Sequence, residues 1–407
     1  MYEKYAELLL KRCLNIKEGE PLLINAPIEC IEFIRIVARE AYKLGVNDIY
    51  FDLTDDILKR DQLESLDINS LKESRFWNKT IWNEYANKNA AFLMLYGDDP
   101  EMTNGIDAEK IAATAYTSRT SRKIYKEKQG IGEVSWCIAS VATEKWANKV
   151  FPNSSNPKEE LWNAIFKMCY VDKENPIENW NKLVRENKER CEELNKYKIK
   201  KMLYTNGLGT DLFVELSDLA IWSGGAETLK DGREAIVNMP TIEVFTTPIL
   251  SKTEGIVYSS KPLVYNGAII DEFYLEFKEG KVVNFDAKIG KDVLKSIIEA
   301  DKNSAFLGEV ALVEHDSVIS KSNILFYETL FDENASCHLA LGAGFPTAIK
   351  EGTSKSKEEL LNSVTPKDID LYNNKVKQLK EKEEEERKAK KISEIYIKHL
   401  KEDMYNL

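Results

Sequence analysis

The chain opens by alternating short apolar runs with stretches of helical spacing. Leu22, Leu23 and Ile24 form a compact run within Pro21 to Asn25. Phe33, Ile36, Val37, Ala41 and Leu44 then recur at the spacing of one helix face, closed by Gly45. Asn47 to Leu53 alternates through Ile49, Phe51 and Leu53, the pattern of a strand. Strand, helix and strand in this order predict a βαβ unit in a largely parallel sheet. Ala91 to Tyr96, stopped by Gly97-Asp98-Asp99-Pro100, and Val134 to Ser140 predict further buried strands. From Lys158 to Lys198 the spacing is helical, with Trp162, Ile165 and Phe166 on one side and long polar surfaces on the other.

Near Lys201 the pattern changes. From there to about Ile289, short alternating runs are separated by Asn206-Gly207, Gly224-Gly225, Asp231-Gly232, Asn266-Gly267 and Glu279-Gly280. Such pairs between β-rich segments signal hairpins, so this stretch is expected to be antiparallel β with inserted helices, and Phe273 to Val283 is the clearest hairpin. The end of the chain differs again. Lys380 to Lys391 is polar on every face, with Glu383/Arg387, Glu384/Lys388 and Glu386/Lys390 at helical spacing in the favourable orientation. Beyond it, Ile392, Ile395, Tyr396, His399 and Leu400 form a stripe that is expected to dock on the chain's own surface. The fold class is therefore α/β: an N-terminal α/β domain (1–200) with a mainly parallel sheet, a C-terminal α+β domain (201–366) with an antiparallel sheet, and a charged C-terminal helix (367–407).

Composition narrows the chemistry. Among 407 residues, 57 Lys and Arg stand against 68 Asp and Glu, a net charge of −11, which disfavours a nucleic-acid partner. No apolar run approaches the ~18–20 residues of a membrane span. The start carries Lys and Glu inside its apolar stretch and no small-residue cleavage site, so a cytoplasmic protein without membrane association is expected. The 6 cysteines are scattered with no C-x-x-C pair, which suggests neither a zinc knuckle nor a disulfide framework. With 3 histidines, any metal site must be built mainly from carboxylates.

Three segments could carry such a site. Asn238 to Pro248 places Glu243 among apolar and β-branched neighbours, where a carboxylate is costly unless it is paired or binds a cation. A structural salt bridge explains Glu243 as well as a metal does. In Leu307 to Ser317, Glu309 begins an apolar strand directly after Gly308, which permits close approach of backbone or ligand. In Leu330 to Gly342, Glu333 and His338 flank small residues that can start a helix. A lone histidine in such a setting is more often a satisfied core residue than a ligand.

Together these segments resemble the signature blocks of the metallo-aminopeptidases typified by aminopeptidase T and aminopeptidase S, the thermophilic metalloproteases. Gly209-Thr210-Asp211-Leu212, Pro262 to Gly267, Trp146-Ala147, Val150-Phe151-Pro152 and Tyr5 to Leu9 extend the likeness over roughly residues 1 to 350. The resemblance implies a homodimeric exopeptidase that uses divalent zinc, cobalt or manganese to remove N-terminal residues from peptides. It implies Glu243, Glu309 and His338 as metal ligands, with Glu309 bridging the ions and acting in catalysis, and Glu333 as a further acidic member of the site.

The chain also departs from the family pattern. Phe345 stands where the family has a tyrosine whose hydroxyl stabilises the oxyanion. The block expected to supply a further His and Asp ligand reads Asn362 to Asp370 and contains no histidine, so Asp368 or Asp370 would have to stand in, beside Lys367. Ile242 replaces the first of a pair of glutamates, and Glu328 stands where the family tends to have asparagine. Of the remaining histidines, His315 follows the Glu309 strand and His399 lies in the terminal stripe. Two principal readings follow. One is a working metallo-aminopeptidase with an altered site holding one or two ions. The other is a catalytically impaired homologue, even metal-free, that keeps the fold and dimer for peptide binding or regulation. A third, different metal chemistry on the same scaffold, is allowed because fold does not fix function.

Overall fold

In the computed structural model the described residues are 1–73 and 76–365. The predicted terminal helix and its stripe, together with Lys367, Asp368 and Asp370, lie outside them. A parallel sheet runs in the order Asn238–Met239, Trp136–Ser140, Ala91–Tyr96, Leu22–Pro27 and Ile49–Thr54. Its central strands read as unbroken apolar runs because both faces are covered. Leu22, Ile24, Leu93 and Leu95 enter a core with the helix Ile31–Lys43 and the N-terminal helix residues Tyr5 and Leu9. Leu23, Phe92 and Met94 point the other way, into a cluster with Trp82 and Tyr125. The helical region after Lys158 is two helices, Pro157–Met168 and Pro176–Tyr197, each with proline in its first turn, where the missing N–H costs nothing.

Antiparallel structure begins at Lys201. A six-stranded sheet joins Lys201–Thr205, Asp211–Leu216, Pro248–Tyr258, Ala268–Lys278, Lys281–Ile289 and Leu263–Tyr265. The Asn206-Gly207, Asn266-Gly267 and Glu279-Gly280 pairs fall at its hairpin turns, and the hairpin predicted from Phe273 to Val283 pairs Lys278 with Lys281. The expected inserted helices are absent from the described residues 201–289; the next helix is Lys291–Ile298. The apolar residues there alternate with a period of two, and their buried face packs with Leu294 and Ile298 of that helix and with Cys191 and Leu194 of the long helix. A four-stranded sheet, ordered His338–Leu341, Leu307–Leu312, Val244–Thr246 and Ser223–Gly224, completes the architecture. Among the described residues no helix is long and apolar enough to cross a membrane.

The two halves share one segment. Asn238 and Met239 pair with Ile138 and Ala139 at the edge of the parallel sheet, and a few residues later the same chain enters the four-stranded sheet at Val244. An ion-pair knot holds the approach to this crossing. Arg233 donates to both oxygens of Glu20 at 2.8 and 2.9 Å, to the Asn15 carbonyl at 2.7 Å and to Asp231 at 2.8 Å. Lys17 adds a bond to Asp231 at 2.7 Å.

Because Arg233 and Glu20 are largely buried, Arg233→Ala should strand a buried carboxylate and lower unfolding free energy by about 3–5 kcal/mol, with Glu20→Gln recovering part of the loss in the double variant. Denaturant titration reads both. Burial opposes the charge on Asp231, yet Lys17 and Arg233 hold its carboxyl down at about 2. A depressed carboxyl stabilises the fold above its unfolded pKa, and the contribution is lost as pH falls through the folded value. Asp231→Asn should therefore lower the thermal midpoint at neutral pH, and the gap should close between about pH 4 and pH 2. A gap independent of pH would refute this assignment.

Candidate metal centre

Strand register brings the predicted ligands to one face. Phe245 and His338 both stand opposite Ala311, one on each side of the Leu307–Leu312 strand. Directly opposed residues share a sheet face, and so do alternate residues along a strand. Glu309 therefore lies on the face of Ala311 and His338, and Glu243, two residues before Phe245, joins them. One ligand atom from each of Glu243, Glu309 and His338 comes within 4.8 Å of the others. Ala311 and Ala340 put only methyl groups on that face beside them. The opposite face, with Val244, Val310, Leu312 and Leu339, packs into the core of the antiparallel half.

This geometry requires His338 to lie on a strand. The small residues around it were expected to start a helix, but a short helical turn covers only Glu333–Ala335, and His338–Leu341 pairs antiparallel with Leu307–Leu312. Leu339 and Leu341 need the apolar face of that sheet, which outweighs the weak helical preference of the segment. Glu243 is fixed through its neighbours. Ile242 donates its N–H to Asn334 Oδ1 at 2.8 Å and turns its side chain into the core of the parallel half. Asn334, fully buried, donates to the Leu330 carbonyl at 3.0 Å, while Asn187 of the long helix reaches the Glu243 carbonyl at 3.4 Å.

The site is short of positive charge. Glu309 is pushed up to about 7 by burial and by Glu243, against the pull of His338. Glu333 is raised well above the usual carboxylate range by burial and by Glu243. Burial alone would lower the His338 imidazolium, but Glu243, Glu333 and Glu309 together lift it to about 9. His338 Nδ1 lies 3.2 Å from the Ser336 carbonyl, an acceptor only, which assigns the proton to Nδ1 and turns Nε2 toward the carboxylates. Nε2 is 3.1 Å from Glu243 Oε2. This ion pair helps hold the imidazolium. Two carboxylates and an imidazole steered through its other nitrogen fit a divalent cation such as zinc, cobalt or manganese, with open coordination positions.

Glu333, named with these residues from the sequence, sits beside them and feels their charges, but it is outside the convergent set. His315 is exposed on the turn past the Glu309 strand. Phe345 reaches the site face: its ring centroid lies 5.1 Å from that of Phe245, and it is 44% exposed. Gly308 makes this possible, since a Cβ there would stand 2.5 Å from the Ala343 carbonyl as the loop crosses the strand. Sequence reasoning missed the positioning residues Asn334 and Asn187, because a lone asparagine carries no pattern. It noted Glu328 as a departure, but not that its carboxyl is buried.

Known proteins resemble this chain over most of its length. The family model described as thermophilic metalloprotease (M29) matches residues 1–367. Aminopeptidase 2 of Geobacillus stearothermophilus is 38% identical over 364 residues, covering 88% of this chain and 87% of its own length. Aminopeptidase AmpS of Bacillus subtilis is 36% identical, with 88% and 87% covered. The solved structure of wild-type AmpT from Thermus thermophilus superposes with a TM-score of 0.78 at 32% identity, covering 87% of this chain and 88% of that one.

Asn334→Ala touches no ligand but frees the backbone before Glu243. It should weaken zinc affinity about 10–100-fold, as loss of an outer partner typically does. Competition against a chromogenic chelator measures this, and unchanged affinity would show that Asn334 does not position Glu243.

Proposed function

The chain belongs to the thermophilic metalloprotease (M29) family, and we propose that it is a metallo-aminopeptidase removing N-terminal residues from peptides at the centre formed by Glu243, Glu309 and His338. The observation that carries this reading is the convergence of those ligand atoms on one face of one sheet. A bound divalent ion supplies Lewis-acid polarisation of the scissile carbonyl and acidifies a water. Glu243, Glu309 and His338 would hold the ion, and by the family resemblance Glu309 would also act in catalysis. The Ser336 carbonyl keeps the His338 ring in the ligand-competent tautomer. The homodimer implied by the resemblance belongs to the same reading, and sedimentation velocity tests it.

A second reading is favoured by one observation. Phe345 presents a ring to Phe245 and has no hydroxyl to donate. Losing one oxyanion donor costs on the order of 10²–10³ in rate. On that reading the chain binds peptide and metal but turns over slowly.

Protein reconstituted with zinc, cobalt or manganese should take up metal and release leucine from a leucyl peptide. Glu309→Gln should abolish both metal uptake and turnover; unchanged turnover would place the chemistry elsewhere. Phe345→Tyr should raise kcat by up to ~10²-fold if the missing hydroxyl limits the enzyme. Metal uptake without turnover in the parent, with activity gained in Phe345→Tyr, would establish the impaired reading.

A further inference from the structure

Beside the metal ligands the sheet carries an aromatic pair that the chemistry above does not use. Ser223, Phe245, Ala311 and His338 stand opposite one another across four strands, so they share one face. Phe245 follows Glu243 by two residues, about 7 Å along extended chain, and stands diagonally across from Glu309. Its ring rises between two small side chains, Ser223 on one side and Ala311 on the other. The ring of Phe345 meets it there, with centroids 5.1 Å apart and planes at 60°.

The loop that delivers Phe345 is pinned at both ends. Gly342 donates its N–H to the Phe306 carbonyl at 2.7 Å, and the Phe345 carbonyl accepts from the Ala348 N–H at 3.0 Å. Between them the loop lies directly on the sheet, because a Cβ on Gly344 would stand 2.7 Å from Thr247 Cγ2 and 2.9 Å from the Gly308 carbonyl oxygen. Phe345 is thereby held in place, yet it stays exposed. Two rings tilted against each other make a corner with apolar walls, and an exposed ring gains only part of what burial would give it. Because the loop is already ordered, a ligand that covers this corner has little ordering cost to meet.

A peptide whose first carbonyl lies at the ion brings the side chain of its first residue to this side of the sheet. Cβ and the carbonyl carbon are both bonded to Cα and lie about 2.5 Å apart. From there a phenyl ring or a branched aliphatic chain spans the remaining distance to the corner, and a methyl group does not. We infer that Phe345 and Phe245 form the wall that receives the side chain of the peptide's first residue, so that the protein selects large apolar, above all aromatic, N-terminal residues. This rests on the aminopeptidase reading and deepens it. Phenylalanine at 345 keeps a ring at this position without a hydroxyl, which suits it to contact rather than to proton or hydrogen-bond donation.

The test uses the full chain loaded with zinc. Turnover of phenylalanylglycylglycine should exceed that of alanylglycylglycine by about 10-fold or more in kcat/KM, carried mainly by KM. Phe345→Ala should bring the ratio within about 3-fold, whereas Phe345→Tyr, which keeps the ring, should preserve it. Calorimetry with L-phenylalaninol and L-alaninol, which offer no bond to hydrolyse, should show the same preference in binding and the same loss in Phe345→Ala. Phe345→Ser serves as the second variant if Phe345→Ala does not fold. A preference that survives loss of the ring, or is absent from the parent, overturns the proposal. So does a preference set by the second residue, read as faster turnover of alanylphenylalanylglycine than of phenylalanylglycylglycine. Absence of turnover in the parent counts against the aminopeptidase reading alone, because the binding comparison still decides the aromatic wall.

Discussion

Buried carboxyl groups that outnumber the cations set against them are the constraint around which this protein is built. Glu309, Glu333 and Glu328 all have carboxyls lifted by desolvation and by one another or their acidic neighbours, and His338 is the cation set against the first two of them. Removing a carboxylate from water costs several kcal/mol when nothing offsets it. The offset comes from either side. The parallel half contributes a continuous apolar core, the antiparallel half contributes another, and the segment from Asn238 to Thr246 belongs to both. The acidic groups stay where they are because the strands bearing them cannot slip: a shift of one residue would turn Glu309 into the core and Val310 out of it.

The same constraint explains the backbone around the centre. Along the crossing segment, Ile242 enters one core, Glu243 faces the site, and Val244 enters the other core. That alternation leaves the Ile242 N–H without a ladder partner, and Asn334 supplies one. The loop after His338–Leu341 must then pass close over the sheet, which glycine at 308 allows. Phe345 is delivered to the site by that loop and packs on Phe245, so the position is retained while the hydroxyl expected from the family pattern is not.

Much of this was legible in the residues. The parallel strands were readable because both faces are covered, which makes the runs at Leu22 and Ala91 apolar throughout, and the hairpins because Asn-Gly and Glu-Gly turns suit left-handed backbone. The His338 strand was not readable, since four residues of mixed size carry no period and their structure is decided by a partner sheet far away in sequence. Nor was the return of Asn238–Met239 to the parallel sheet, a two-residue pairing fixed by the core beneath it. Glu243, Glu309 and His338 were found through long, specific blocks of sequence. Their convergence follows from register, which no single segment encodes. Asn334 and the burial of Glu328 depend on contacts made only when distant segments meet.

The departures at Ile242 and Glu328 are best understood together. By resemblance, the family carries a glutamate at the first position and tends to carry asparagine at the second, so this chain loses one carboxyl and gains another. The exchange is not a simple relocation of charge. Position 242 turns away from the ligand face into the core of the parallel half, where isoleucine is well placed and an acid would need its own partner. Position 328 begins the Thr329–Asp332 turn, where the added carboxyl is buried with Asp332 beside it. An apolar residue replacing an acid in a core relieves a cost. An acid buried beside another acid creates one, which protonation relieves, as the Glu328 carboxyl raised to about 8 shows.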